Sequence, residues 1–252
     1  MNKRMILYIQ GAILLIESAI MVLPIATALI YREPAGVWFF YTALAAAICG
    51  FAAMKLSRPR TKTIYAKEGL ITVALGWIEL SLVGALPFTL SGEIPFYLDA
   101  VFEMISGFTT TGSSILPNVE ALSRCMLLWR SFSHWLGGMG ILVFMLAIVK
   151  MEGGQGIHLL RAESPGPTVG KMVPRMVDSS KILYTIYFAL TLVQVVFYLA
   201  GGMPLFDSLC NAFATAGTGG FSIKADSFAS YSPYLQTVTT VFMALFGVNF
   251  SI

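Results

Sequence analysis

Charge is the scarcest commodity in this sequence. Of 252 residues, only 12% are Asp, Glu, Lys or Arg, about half the share found in an ordinary soluble domain. So little charge cannot cover a water-facing surface, which excludes a soluble enzyme and a disordered tail. A net charge of +3 is too small for a nucleic-acid binder. Cysteine is scarce as well. Cys49, Cys125 and Cys210 lie far apart, each within an apolar stretch and none in a CxxC pair, so neither a disulfide framework nor a zinc site is supported. The two histidines, His134 and His158, are too distant in sequence to form a local ligand pair. What the chain has in quantity is apolar side chains: 57% of residues are hydrophobic and the mean hydropathy is +0.78. It belongs in a bilayer, as an all-α polytopic membrane protein.

Crossing a hydrocarbon core of about 30 Å takes roughly 20 apolar residues. Six stretches meet or approach that length: Met5–Ile30, Gly36–Met54, Gly69–Leu90, Cys125–Val149, Ile182–Ala200 and Pro233–Ile252. The first is too long, and too interrupted by Glu17, for a cleaved signal peptide. Two more stretches, Phe96–Phe108 and Leu205–Thr215, are too short to cross, and each runs into a cluster of Gly, Thr and Ser. Irregular backbone at membrane depth is tolerated only inside protein or along a wet cavity, so both read as re-entrant half-helices.

With the N-terminus inside and both half-spans returning outward, twelve basic residues fall on the cytoplasmic side: Lys3, Arg4, Lys55, Arg58, Arg60, Lys62, Lys67, Lys150, Arg161, Lys171, Arg175 and Lys181. Arg32, Arg124, Arg130 and Lys224 are assigned to the outside. That asymmetry follows the positive-inside rule. Glu33, Glu93, Asp99, Glu103, Glu120, Asp207 and Asp226 share the outer side, either concentrating cations at a mouth or simply solvated.

The pattern of span, half-span, polar strip and span occurs twice. Asp99 to Gly112 and Asp207 to Gly220 have the same spacing, so Phe108-Thr109-Thr110-Thr111-Gly112-Ser113-Ser114 aligns with Ala216-Gly217-Thr218-Gly219-Gly220-Phe221-Ser222 without a gap. A half-helix entering the membrane points its partly negative C-terminus inward, which favours a cation there. The strip beyond it can offer carbonyls in place of an ion's hydration shell, and glycine permits the backbone this needs. Neither strip contains a carboxylate, which favours a monovalent over a divalent ion. The competing reading is that the small residues merely allow tight helix packing. Four blocks are expected: residues 1–67, an N-terminal helix pair with a basic loop; 68–150, the first membrane–pore–membrane unit; 151–180, a cytoplasmic linker; and 181–252, the second unit.

Several segments carry a family resemblance: Gly84-Ala85-Leu86-Pro87-Phe88, Ser106 to Ser114, Trp129 to Gly140, Arg161-Ala162-Glu163-Ser164-Pro165-Gly166-Pro167 with Pro174-Arg175, and Thr218 to Ser222. Together they resemble the N-terminal half of potassium uptake proteins of the TrkH/KtrB family, in the TrkH-type form with an extra N-terminal helix pair. The resemblance implies four such units around one pore, one filter glycine per unit and potassium as the transported ion. It further implies a homodimer in the bacterial inner membrane, a TrkA-like nucleotide-binding regulatory subunit on the cytosolic face, and no cofactor. By position, Gly112 and Gly220 match filter glycines, with Gly219 a rival to Gly220. Thr109, Thr110, Thr111, Thr218 and Gly219 would add neighbouring carbonyls, so that Gly112, Gly220 and Thr111 hold K+ through the backbone. Flux could be channel-like or ion-coupled. Only two of the four units are present, and Phe250-Ser251-Ile252 ends within an apolar stretch, so a longer reading frame is expected. A non-conducting fragment or scaffold is the alternative. A remote one is an intramembrane serine hydrolase built on Ser113 or Ser114 with His134.

Further expectations attach to single residues. Glu17 and Glu79, within spans, are expected to find structural partners, with an ion-coupling site for Glu79 the less favoured reading. His134 is expected to be a hydrogen-bonded interfacial histidine. Gly137, Gly138 and Gly140 should form a close-packing face against the adjoining half-span.

Overall fold

The computed structural model describes residues 2–59, 66–140 and 176–248. Nine α-helices are found among them, with one short 3-10 turn and no strand. They are α1 (Lys3–Ile20), α2 (Val22–Tyr31), α3 (Gly36–Leu56), α4 (Ala66–Ser91), α5 (Tyr97–Phe108), α6 (Arg124–Met139), α7 (Met176–Ala200), α8 (Leu205–Ala216) and α9 (Pro233–Phe246).

The stretch expected as one span from Met5 to Ile30 is divided at Met21, where α1 gives way to α2. Pro24 accounts for the break: it has no N–H to offer Ile20, and its ring crowds that carbonyl. α1 packs on α3 and α4. At its crossing with α3 the backbones meet through glycine: a Cβ on Gly11 would lie 2.7 Å from the Gly50 carbonyl oxygen, and one on Gly50 would lie 2.6 Å from that of Gly11. Small residues permit such close approach, the usual basis of helix packing in lipid. Four helical segments are long and apolar enough to cross a membrane: Lys3–Tyr31, Gly36–Leu56, Lys67–Ser91 and Ile182–Ala200. Their outer faces carry bare apolar side chains such as Leu29, Ile30, Phe51 and Val196. The other two expected spans are represented by α6 and α9, of 16 and 14 residues. The continuations read from the sequence fall outside the described residues, as do His158 and most of the linker at 151–180.

Two short helices stand where the sequence has apolar stretches too short to cross. α5 and α8 are each 12 residues long, about 18 Å at 1.5 Å per residue, and their boundaries lie 108 residues apart at both ends. Each packs between the helices of its own unit, α5 on α4 and α6, α8 on α7 and α9; α8 also lies against α6. Two apolar cores result. The larger joins α1, α3, α4, α5 and α6 around Phe39, Phe88, Phe108 and Trp129. The smaller, with Val195, Tyr198, Ala212, Leu235 and Phe242, fills the second unit.

α6 is capped from a distance. Glu33 accepts the backbone N–H of Arg124 (2.8 Å) and of Cys125 (2.9 Å). Glu93 accepts Ser123 N–H and Oγ, both at 2.7 Å. Carboxylates at a helix N-terminus satisfy orphan donors and complement the dipole. Glu33 and Glu93, which the sequence offers as mouth or solvated groups, therefore fix where α6 begins.

Candidate cation-pathway site

Each half-helix ends by turning left-handed. After α5, Thr110 donates its N–H to the Gly107 carbonyl (3.0 Å) and Thr111 donates to Ser106 (2.9 Å), the bond pair of a Schellman ending. Thr110 has φ +54° and Gly112 has φ +77°. After α8, Thr218 donates to Thr215 at 2.9 Å, with φ +59° at Thr218 and +77° at Gly220. The spacing match read from the sequence is thus a match of backbone conformation. Threonine is an unusual occupant of the left-handed position because its branched Cβ crowds the backbone there.

The two strips touch. A Cβ on Gly112 would stand 1.8 Å from the Gly219 carbonyl oxygen, and one on Gly219 would stand 2.3 Å from that of Thr110. Nothing lies within 4 Å of a Cβ on Gly220. Thr109, Thr111, Thr218 and Gly220 are exposed, with Thr110, Gly112 and Gly219 part-buried. Thr109 Oγ1 donates to the Ile105 carbonyl (2.7 Å) and shares a hydrogen bond with Thr111 Oγ1 (2.8 Å). All seven residues singled out in the sequence therefore belong to one pair of adjoining strips.

Several side chains sit elsewhere than expected. The sequence puts Arg130 and Glu103 on the outer side, with Glu103 a mouth or solvated group; the structure buries both, in α6 and α5, with Arg130 Nε 2.9 Å from Glu103 Oε2. A charged residue so poorly hydrated needs a partner, and the half-helix provides it. Glu103 Oε1 also accepts Ser114 Oγ and Ile115 N–H, each at 2.6 Å. The Arg130 guanidinium reaches across to the second strip, donating from Nη1 to the Ser222 carbonyl (2.6 Å) and lying 3.3 Å from the Phe221 ring centre. His134, one turn further along α6, is fully buried rather than interfacial. It stacks on Phe221 with ring centres 5.0 Å apart, and neither ring nitrogen has a hydrogen-bond partner. It backs the second strip directly, since Cβ atoms on Gly217 and Gly219 would each come within 2.3 Å of its ring.

Glu17 also departs from expectation: it is fully buried, and among the described residues neither of its oxygens, nor Oε2 of Glu79, has a hydrogen-bond partner. Gly137 packs against the Phe108 carbonyl at the end of α5, and Gly138 against Tyr187 and the end of α8, so the small-residue face meets both half-helices. No Ser–His pair forms: Ser114 Oγ is committed to Glu103 and His134 accepts from no one. Among the described residues no group of three or more His, Cys, Asp or Glu could hold a metal ion.

The family described as TrkH, cation transport protein, matches residues 38–252. The chain belongs to the TrkH family. It is 37% identical to the Trk system potassium uptake protein TrkH of Salmonella typhimurium and 35% identical to that of Vibrio parahaemolyticus, in each case over all of this chain and 53% of the relative. The crystal structure of the potassium transporter TrkH from Vibrio parahaemolyticus superposes with a TM-score of 0.85 at 32% identity, covering all of this chain and 51% of that one. The chain spans about half the length of the curated relatives it matches. With its long apolar helices, membership in this family makes it a multi-pass membrane protein.

Proposed function

We propose that this chain contributes two membrane–pore–membrane units, residues 68–150 and 181–252, to a potassium uptake pathway. Its narrow part is lined by carbonyls of Thr109 to Gly112 and Thr218 to Gly220. The observation that carries the reading is the pairing of the strips: two half-helices deliver the same Thr and Gly positions into left-handed backbone, side by side. A strip so folded can turn carbonyls toward an axis, where they would replace water around a weakly hydrated monovalent cation. The half-helix C-termini add a negative field at the same place. The relatives' names supply potassium as the ion.

In a ring of four equivalent units, each strip would be backed by the outer helix of the unit before it, as α6 backs the strip after α8. The basic loops support a cytoplasmic N-terminus in the inner membrane. A TrkA-like nucleotide-binding subunit would dock on that face of a homodimer, and these two assemblies rest on the family resemblance.

The test is growth on low potassium of cells lacking potassium uptake, with the complete reading frame that carries this sequence. The frame should rescue growth, and Gly112→Ser or Gly220→Ser should abolish rescue at high potassium affinity. Equal rescue by both variants sinks the assignment of these strips.

A further inference from the structure

The outgoing legs of the two strips are joined by a chain of hydrogen bonds that crosses from one unit to the next. It starts at Ile115 N–H and Ser114 Oγ of the first strip and passes through the Glu103 carboxylate to Arg130 Nε. It then leaves from Arg130 Nη1 to the carbonyl of Ser222, two residues beyond Gly220. Every link is 2.6 to 2.9 Å long, within the range of charge-assisted hydrogen bonds. The guanidinium also lies on the Phe221 ring at 3.3 Å, a cation–π contact strengthened by burial.

Without Arg130 the second leg would be held far more loosely. The residue equivalent to Glu103 there is Asn211, and its Oδ1 accepts Ser222 Oγ at 3.4 Å, against 2.6 Å for Ser114 on Glu103. A buried ion pair serving only to neutralise charge would spend both donors on the carboxylate. This arginine divides them between the carboxylate and a backbone carbonyl of another unit. Lysine, a single point charge without the planar fork, could not hold both in this geometry.

Resting on the pore reading above, we infer that Arg130 is a positioning residue of the second strip. It ties the strip's outgoing leg to the first half-helix, holds the distance between the two strips, and so determines which monovalent cation the pair accepts.

The experiment uses the complete reading frame in cells lacking potassium uptake. It reads initial rates of K+, Rb+ and Na+ uptake alongside the amount of protein in the membrane. Arg130→Lys keeps the charge opposite Glu103 but gives up the contact to Ser222. The paired variant Glu103→Gln/Arg130→Gln removes both charges together, so no lone charge is left buried. Both should reach the membrane and lose about tenfold in the preference for K+ over Na+, the scale of one charged hydrogen bond. Phe221→Leu, which removes only the ring contact, should lose about threefold and decides the matter if neither charge variant assembles. Rates that fall in proportion to protein amount with cation preference unchanged in the variants that assemble would overturn the inference and leave the pore reading standing. If Gly220→Ser in the same assay leaves affinity and preference unchanged, the pore reading falls and this inference with it.

Discussion

At equivalent steps of the two repeats, Ser113, Ser114 and Ile115 are exposed, whereas Phe221, Ser222 and Ile223 are buried. Up to that step the strips agree in helix length, in the left-handed threonine and in the positive-φ glycine. The path into each strip is set locally, by how a 12-residue helix ends. The path out is set by neighbours. For the second strip these are Arg130 and His134 of α6, which pack on Phe221; for the first it is the carboxylate of its own half-helix, Glu103. Backbone symmetry thus coexists with different anchoring, and substitutions at paired positions should separate the two causes.

The largest difference is expected between Gly112→Ala and Gly220→Ala. Both put an L side chain at φ +77°, a cost of about 1–2 kcal/mol. Only at Gly112 does the new Cβ also run into backbone, 1.8 Å from the Gly219 carbonyl oxygen. Both variants should abolish uptake; in stability, Gly112→Ala should cost about 3 kcal/mol or more, while Gly220→Ala should cost only the conformational strain. Thermal unfolding of the purified protein beside uptake measures both. Equal losses of stability would mean that the strips do not touch as described.

Next come the two half-helix side chains at matching positions. Glu103→Gln leaves the Arg130 guanidinium buried without its counter-charge, which costs about 3 kcal/mol or more. Asn211→Ala removes weak contacts to Ser222 Oγ (3.4 Å), Tyr231 Oη (3.4 Å) and Met203 Sδ (3.6 Å), together worth about 1 kcal/mol. A cost at Asn211 as large as that at Glu103 would show that the second strip depends on its own half-helix after all.

Much of this architecture is legible in the sequence because bilayer physics is written in runs and spacings. Phe96–Phe108 and Leu205–Thr215 show as apolar stretches too short to cross, within a residue of α5 and α8, and the equal interval from Asp99 to Gly112 and Asp207 to Gly220 foretells the matched backbone. The anchoring is not legible. Arg130 is 92 residues from its carbonyl partner Ser222, and in Trp129-Arg130-Ser131-Phe132 nothing distinguishes a buried clamp from a charge at a span's outer end. Glu33 caps a helix 91 residues away for the same reason: a charge reports its sign, not its partner. His134 had the opposite problem. Sequence suggests a hydrogen bond, but the ring sits where the glycines of the second strip leave room for it and nothing to bond to.

A smaller effect is expected from the polar cluster of the second unit. Tyr198 Oη accepts from Gln194 (2.8 Å) and meets Thr215 Oγ1 (3.1 Å) and Thr239 Oγ1 (2.8 Å). Counted back from Gly92 and Gly202, the positive-φ glycines that follow α4 and α7, the corresponding residue of the first unit is the buried Phe88, with no hydroxyl. Tyr198→Phe should cost about 1–2 kcal/mol and not more. Both threonines keep bonds within their own helices, to Asn211 (2.7 Å) and Leu235 (2.8 Å), so only Gln194 loses a partner. A loss much larger than this in thermal unfolding would show that the cluster, rather than the apolar side chains around it, holds the second unit together.

The smallest effect carries the opposite sign and tests the feature that the units share. A branched residue in the left-handed region costs about 1–2 kcal/mol, and glycine there returns part of it while losing about 0.5–1 kcal/mol to its freer unfolded chain. Thr218 is exposed and gives up little else, so Thr218→Gly should raise stability by up to about 1 kcal/mol. Thr110 is part-buried, and its methyl would be 3.0 Å from a Cβ on Gly137; it packs against α6 there. Thr110→Gly forfeits that packing and should gain nothing. Both variants should slow potassium uptake, because glycine frees the strip to leave the conformation that threonine, once placed, restricts. If Thr110→Gly stabilises as much as Thr218→Gly, the first strip is not held against α6. The two units would then differ only in how their outgoing legs are anchored.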